Sequence, residues 1–180
     1  MTVEKTFIEG LLIIQPRVFE DERGYFFESF NEKLLAEAGL STHFVQDNQS
    51  LSQKGVLRGL HFQAPPHAQA KLVRVISGAV LDVAVDIRKD SATYGKHYSI
   101  ELNSRNKTMF YIPAGFAHGF ATLEDHTVFS YKCSAYYNKD SEGTLLWNDP
   151  ELDIDWNVFA PLLSEKDKAG VELKNLKSPF

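Results

Sequence analysis

The sequence predicts one mainly β domain, a sandwich or barrel with a few short helices, and three observations carry that reading. Beyond Gly39 almost every apolar run is short, rich in β-branched and aromatic residues, and bounded by Gly, Pro, Asn or Asp. Leu81, Val83, Val85 and Ile87 alternate with Asp82, Ala84 and Asp86, a period of two with carboxylates on one face. Only Asn31–Gly39 carries a full set of helix signals: Asn31 as N-cap, Glu32 in the first turn, a stripe of Leu34, Leu35 and Ala38, and Gly39 as the stop.

Taken in order, residues 6–16 read as an N-terminal edge strand broken at Gly10 and ended by Pro16. Asp21–Gly24 is turn chemistry, and the aromatic run from Tyr25 to Phe30 follows as strand. Further strands are expected over 44–48, 56–63, 71–76, 79–88, 97–102, 108–112, 119–122 and 127–135, with Ser77-Gly78 as a hairpin turn. The segment 147–180 holds Trp147, Trp156 and several prolines and is expected to pack on the barrel, with Ser164 capping a last helical turn. No repeat, low-complexity tract or linker divides the chain, so residues 1–180 read as one domain.

Composition narrows the function. With 180 residues, 43% hydrophobic and 24% charged, the chain can bury a full core. A net charge of -5 argues against a nucleic-acid partner, which needs a basic field. No apolar run approaches the ~20 residues that span a bilayer, so no membrane partner is expected. The single Cys133 and an N-terminus without signal-peptide layout lead us to expect a cytoplasmic protein.

The run Val56–Gln63 places Arg58 and His61 among apolar residues, where their burial would be costly. Strict alternation would send them to opposite faces. Gly59 between them suggests a bulge that shifts the parity by one residue, so both are expected to enter one cavity. A lone histidine is commonly a hydrogen-bonded core residue. His61 has company, however: Arg23, Glu28, Gln46, Asn48, Arg58, Lys71, Arg74, His118 and Tyr131 all lie in or beside strand-like runs, more polar groups than a ligand-free core would hold. Each has an ordinary alternative as a solvated or edge residue; their number points to a ligand. Tyr136-Tyr137 could stack on a planar base or cover the barrel mouth. A metal is not expected, because His61 stands among Leu60, Phe62 and Gln63 without clustered ligands.

Taken as an ordered series, Arg23-Gly24 with Phe26–Ser29, Phe44–Asn48, Val56–Gln63, Lys71–Arg74, Asp82–Arg88, Ile112-Pro113 with Gly115–Phe120, Tyr131-Lys132 with Tyr136-Tyr137, Trp147–Pro150 and Leu163–Asp167 resemble the dTDP-4-dehydrorhamnose 3,5-epimerase family over nearly the whole chain. The resemblance implies a metal-independent, cofactor-free cupin, a jelly roll or double-stranded β-helix, forming a homodimer that exchanges N-terminal strands. The implied substrate is dTDP-4-dehydro-6-deoxy-D-glucose, inverted at C3 and C5. Such a reaction needs a base beside the ketone, a stabiliser for the enolate oxygen and an acid on the opposite face. By the resemblance these are His61 oriented by Asp167, Lys71 and Tyr131. The same resemblance assigns substrate binding to Arg23, Phe26, Glu28, Gln46, Asn48, Arg58, His118, Tyr136, Glu142 and Lys166. Asn157 stands where the family commonly has proline and Ala70 where it commonly has glycine. The alternatives are a mono-epimerase of another deoxysugar, a non-catalytic sugar-binding cupin and a metal-dependent cupin enzyme.

Overall fold

The computed structural model describes residues 1–180 as thirteen strands and two short α-helices. In order they are β1 (Thr2–Lys5), β2 (Leu12–Gln15), β3 (Val18–Asp21), β4 (Gly24–Phe27), α1 (Glu32–Glu37), β5 (Gln46–Ser52), β6 (Leu57–Gln63) and β7 (Lys71–Ser77). Then come β8 (Ala79–Asp86), β9 (His97–Asn103), β10 (Met109–Ile112), β11 (Phe116–Thr122), β12 (Thr127–Cys133), β13 (Glu142–Thr144) and α2 (Glu165–Lys168). The strands form two main sheets, β1-β2-β10-β7-β12-β5 and β13-β6-β11-β8-β9, while β3 and β4 make a separate hairpin. All ladders are antiparallel, the jelly roll that the resemblance implies and one form of the sandwich or barrel expected from the strand pattern.

The alternation along β8 is explained by two apolar layers. Leu81, Val83, Val85 and Ile87 pack with Leu145, Leu152, Trp156 and Leu173 of the C-terminal segment. Val80 and Ala84 face the other way, into a core between the sheets with Val73, Val75, Phe110, Phe120 and Phe129. Every β8 residue is therefore buried, and each large aliphatic side chain contributes about 1.5–3 kcal/mol relative to exposure. The carboxylate face survives because Asp82 meets His118 and Asp86 meets Arg88, Ser91 and Thr93.

Several elements differ from the sequence reading. Ser77-Gly78 is not a hairpin turn, since β7 and β8 lie in different sheets. Gly78, at φ 80°, redirects the chain across the sandwich against Thr127, where a Cβ would fall 2.2 Å from the Thr127 hydroxyl. The N-terminal strand divides in two: Thr6–Leu11 turns, yet keeps Ile8 and Leu11 fully buried, so its apolar signal came from packing rather than pairing. The short strands β3 and β13 carry too little apolar pattern to stand out in the sequence. β5 begins and ends later than expected because its inward residues Gln46, Asn48, Ser50 and Ser52 are polar. Helix α1 forms as expected, with the Asn31 side chain accepting from the Leu34 N–H and Gly39 at φ 91° after its end. No helix is long and apolar enough to cross a membrane.

Candidate active site

The site is built around an irregularity in β6. Against β11, His61 pairs with His118 but Arg58 pairs with Phe120, so three steps on β6 match two on its neighbour. The extra residue restores the parity that strict alternation would break. Arg58, His61 and Gln63 line a cavity of about 540 Å³, while Leu57, Leu60 and Phe62 join the core beneath the C-terminal segment, Leu57 and Phe62 at its border with the cavity. Gly59, at φ 134°, permits it: a Cβ there would lie 2.5 Å from Gly119 Cα and 2.9 Å from the His118 carbonyl oxygen.

His61 Nε2 lies 2.7 Å from Asp167 Oδ1, although the two are far apart in sequence. The buried Asp167 carboxylate also accepts the Gly59 N–H on Oδ1 at 3.2 Å, and the Ser164 hydroxyl and N–H on Oδ2 at 2.6 and 3.3 Å. Burial alone would raise its pKa, but the bonds from His61, Ser164 and Gly59 outweigh it and hold the group at about 2. Asp167 is thus an anion at any working pH. With Nε2 committed to that anion, Nδ1 is the His61 nitrogen left for the cavity. Beside it, His118 Nε2 bonds both Asp82 oxygens at 2.9 and 3.0 Å, and burial pushes the His118 pKa down, so this imidazole is neutral. Phe120 and Phe129, stacked at 4.1 Å, add an apolar floor.

The opposite wall comes from the other sheet. Lys71 sits across from Cys133, and Tyr131 across from Asn48, on the adjacent strands β7, β12 and the edge strand β5. Lys71 makes no ion pair, and burial lowers its pKa from the usual lysine value. Burial raises the Tyr131 hydroxyl above 10, which keeps it protonated. At the rim, Lys166 pairs with Glu142, the Tyr137 hydroxyl donates to Glu142 at 3.2 Å, and Gln63 ties the 138 loop by accepting the Asn138 N–H at 2.8 Å.

Eleven residues named from the sequence therefore share one cavity: Gln46, Asn48, Arg58, His61, Lys71, His118, Tyr131, Tyr137, Glu142, Lys166 and Asp167. Five do not line it, among them Arg74, which borders a separate small pocket with Asp47 and Lys132. Arg23 is exposed at the tip of the β3–β4 hairpin, paired with Asp21. Phe26 is 65% exposed on the same hairpin, and Glu28 accepts a bond from Asn31 Nδ2 at 2.9 Å. Tyr136 points outward and Tyr137 lines the cavity in its place. Reading the sequence alone also missed Gln63, Gln69, Phe120, Phe129 and Ser164 as lining residues. The β6 parity that admits His61 could have flagged Gln63; the phenylalanines look like ordinary core. No three His, Cys, Asp or Glu side chains converge as metal ligands, and each cavity histidine already holds its own carboxylate.

The profile of the dTDP-4-dehydrorhamnose 3,5-epimerase family matches residues 5–175. The chain is 54% identical over 171 residues to the dTDP-4-dehydrorhamnose 3,5-epimerase of Shigella flexneri, covering 94% of each chain. It superposes on the crystal structure of the Elizabethkingia anophelis enzyme of that name with a TM-score of 0.93 at 53% identity, covering 99% of this chain and 98% of that one. A dTDP-6-deoxy-D-glucose-3,5-epimerase from Legionella pneumophila, in complex with dTDP-4-keto-L-rhamnose, gives 0.94 at 47% identity, covering 98% and 94%. The jelly roll is cupin-type, and the chain belongs to the dTDP-4-dehydrorhamnose 3,5-epimerase family of isomerases.

Proposed function

We propose that this protein converts dTDP-4-dehydro-6-deoxy-D-glucose to dTDP-4-dehydro-L-rhamnose by inverting C3 and C5. The observation that carries the mechanism is that His61 and Tyr131 stand on opposite walls, one from each sheet. His61 Nδ1 takes the proton from the carbon beside the 4-keto group, and Asp167 stabilises the imidazolium that forms. The electron pair moves onto the C4 oxygen, where the Lys71 ammonium stabilises the enolate. Tyr131, kept protonated by burial, returns a proton from the other side. Once His61 has released its proton to solvent and Tyr131 has regained one, the same cycle at the second carbon completes the double inversion.

The nucleotide is assigned to the rim. Gln46, Asn48, Arg58, His118, Glu142 and Lys166 bind the sugar and its diphosphate, with Arg58 and Lys166 supplying positive charge. Arg23, Phe26 and Glu28 lie on a hairpin away from their own cavity, and exposed Phe19, Tyr25 and Phe26 give that hairpin an apolar surface without cover in one chain. A homodimer in which each hairpin serves the partner's cavity accounts for both facts. Tyr136, exposed beside Tyr137, is assigned to the same nucleotide-binding surface because its ring is free to stack on the base. We place the enzyme in the cytoplasm as one domain. The test is proton NMR of the substrate incubated with the protein in D2O. Deuterium at both C3 and C5 with a rhamno-configured product is expected; inversion at one carbon only, or none, contradicts the reading.

A further inference from the structure

We infer that Ser164 is a positioning residue of the reaction, fixing the catalytic carboxylate through its hydroxyl rather than serving only as a helix cap. The inference rests on the epimerase reading above. Ser164 and Asp167 form a reciprocal capping box: the Asp167 N–H donates to Ser164 Oγ at 3.2 Å, while the serine hydroxyl and N–H both donate to Asp167 Oδ2. In most such boxes the acidic residue only closes the helix. Here its other oxygen, Oδ1, faces β6 and holds His61 Nε2 and the Gly59 N–H. Two donors on each oxygen fix the carboxylate plane. The four-residue helix α2 is too short to hold itself in place, and one group links its first turn to the base.

Other charges do not substitute for that hydroxyl. On the same helix Lys168 pairs with Glu165, and Lys166 reaches Glu142 on β13. Of the other cavity groups, Lys71 makes no ion pair, Arg58 Nε bonds Ser52 at 3.3 Å, and the neutral His118 is bonded to Asp82. The Ser164 hydroxyl at 2.6 Å is the closest donor to Oδ2 and a main reason the Asp167 pKa is depressed. Without it the carboxylate can swing about its Cβ–Cγ bond. His61 would then lose the partner that selects the Nε2–H tautomer and leaves Nδ1 free as base.

The experiment compares Ser164→Gly with Ser164→Thr. Glycine is a tolerated N-cap, close to serine in helix stability, but has no hydroxyl; threonine keeps both roles. Steady-state kinetics on dTDP-4-dehydro-6-deoxy-D-glucose are paired with nitrogen-15 NMR of the histidine rings in substrate-free protein, His61 being assigned from the His61→Asn spectrum. For the glycine variant we expect kcat to fall about 10- to 100-fold with KM within about twofold, the loss known for groups that orient a metal-bound histidine through its other ring nitrogen. We also expect its His61 signals to move from the Nε2–H tautomer toward a mixture, and threonine to restore both. A glycine variant with parental kcat and unshifted His61 signals overturns the inference, as does equal loss in both variants or a KM rise matching the kcat loss. If the parent shows no exchange or inversion, the epimerase reading fails, and the His61 spectra still decide whether Ser164 positions the dyad.

Discussion

Arg58 and His61 lie three residues apart on one strand and point into the same cavity, because one extra residue at the Gly59 bulge resets the alternation between them. That relationship makes Gly59 a structural requirement of the site. Gly59→Ala places a methyl group 2.5 Å from Gly119 Cα at a φ that side chains rarely adopt. We expect a loss of roughly 2–4 kcal/mol in urea unfolding, with activity falling further than the unfolded fraction explains. A variant within about 0.5 kcal/mol of the parent would show that the β11 backbone yields easily.

His61→Asn removes the base and leaves a side chain of similar bulk beside Asp167. Deuterium incorporation at both C3 and C5 is expected to disappear together, since His118 is tied to Asp82 and lies beside His61 on the same sheet. Exchange persisting at one carbon would reveal a second base.

How much of the fold and site was legible in the sequence depends on where each residue's signal came from. The β6 bulge was readable because a glycine inside a strand marks a bulge or a close backbone approach, and Gly59 does both. The alternation along β8 was readable too, although the sequence could not say that both faces are buried, because the second cover comes from the remote segment around Trp156. Ser77-Gly78 misled, since the dipeptide that turns a hairpin also turns a corner between sheets. His61 and Asp167 meet only through the fold; their pairing came from resemblance, not from spacing. Phe26 came the same way, as did the binding roles of Arg23 and Glu28, and one chain does not bring these three to the cavity.

Lys71→Met tests the enolate stabiliser. Methionine is close in length and lacks the ammonium, so kcat is expected to fall about 10²- to 10³-fold, the usual loss on removing one oxyanion donor. Burial lowers the folded Lys71 pKa below its unfolded value, so the protonated group opposes folding at neutral pH and that cost fades only as pH rises toward the unfolded pKa. The methionine variant is therefore expected to be at least as stable as the parent at neutral pH. Lower stability with parental kcat would make Lys71 a structural residue.

Asp86 gives a pH signature separate from the chemistry. Burial works to raise its pKa, yet bonds from Arg88, Ser91 and Thr93 hold it at about 2, below the unfolded value near 3.8. Its contribution, about 2 kcal/mol, is present above the unfolded value and is lost as pH falls through the folded one. The urea midpoint of the parent should fall across that window, and Asp86→Asn, already weaker at neutral pH, should fall less steeply. Parallel slopes in the two proteins would contradict it.

Tyr131→Phe reports most directly on the two-walled mechanism. Phenylalanine keeps the ring against Phe129 and removes only the hydroxyl, while His61, Asp167 and Lys71 stay in place. Proton abstraction should continue and delivery to the opposite face should stop. The measurement follows deuterium wash-in at C3 and C5 by NMR beside rhamno-configured product, trapped by a 4-keto reductase with NADPH. The expected result is solvent exchange without inversion; a phenylalanine variant that inverts at the parental rate removes Tyr131, and with it the opposed acid and base, from the mechanism.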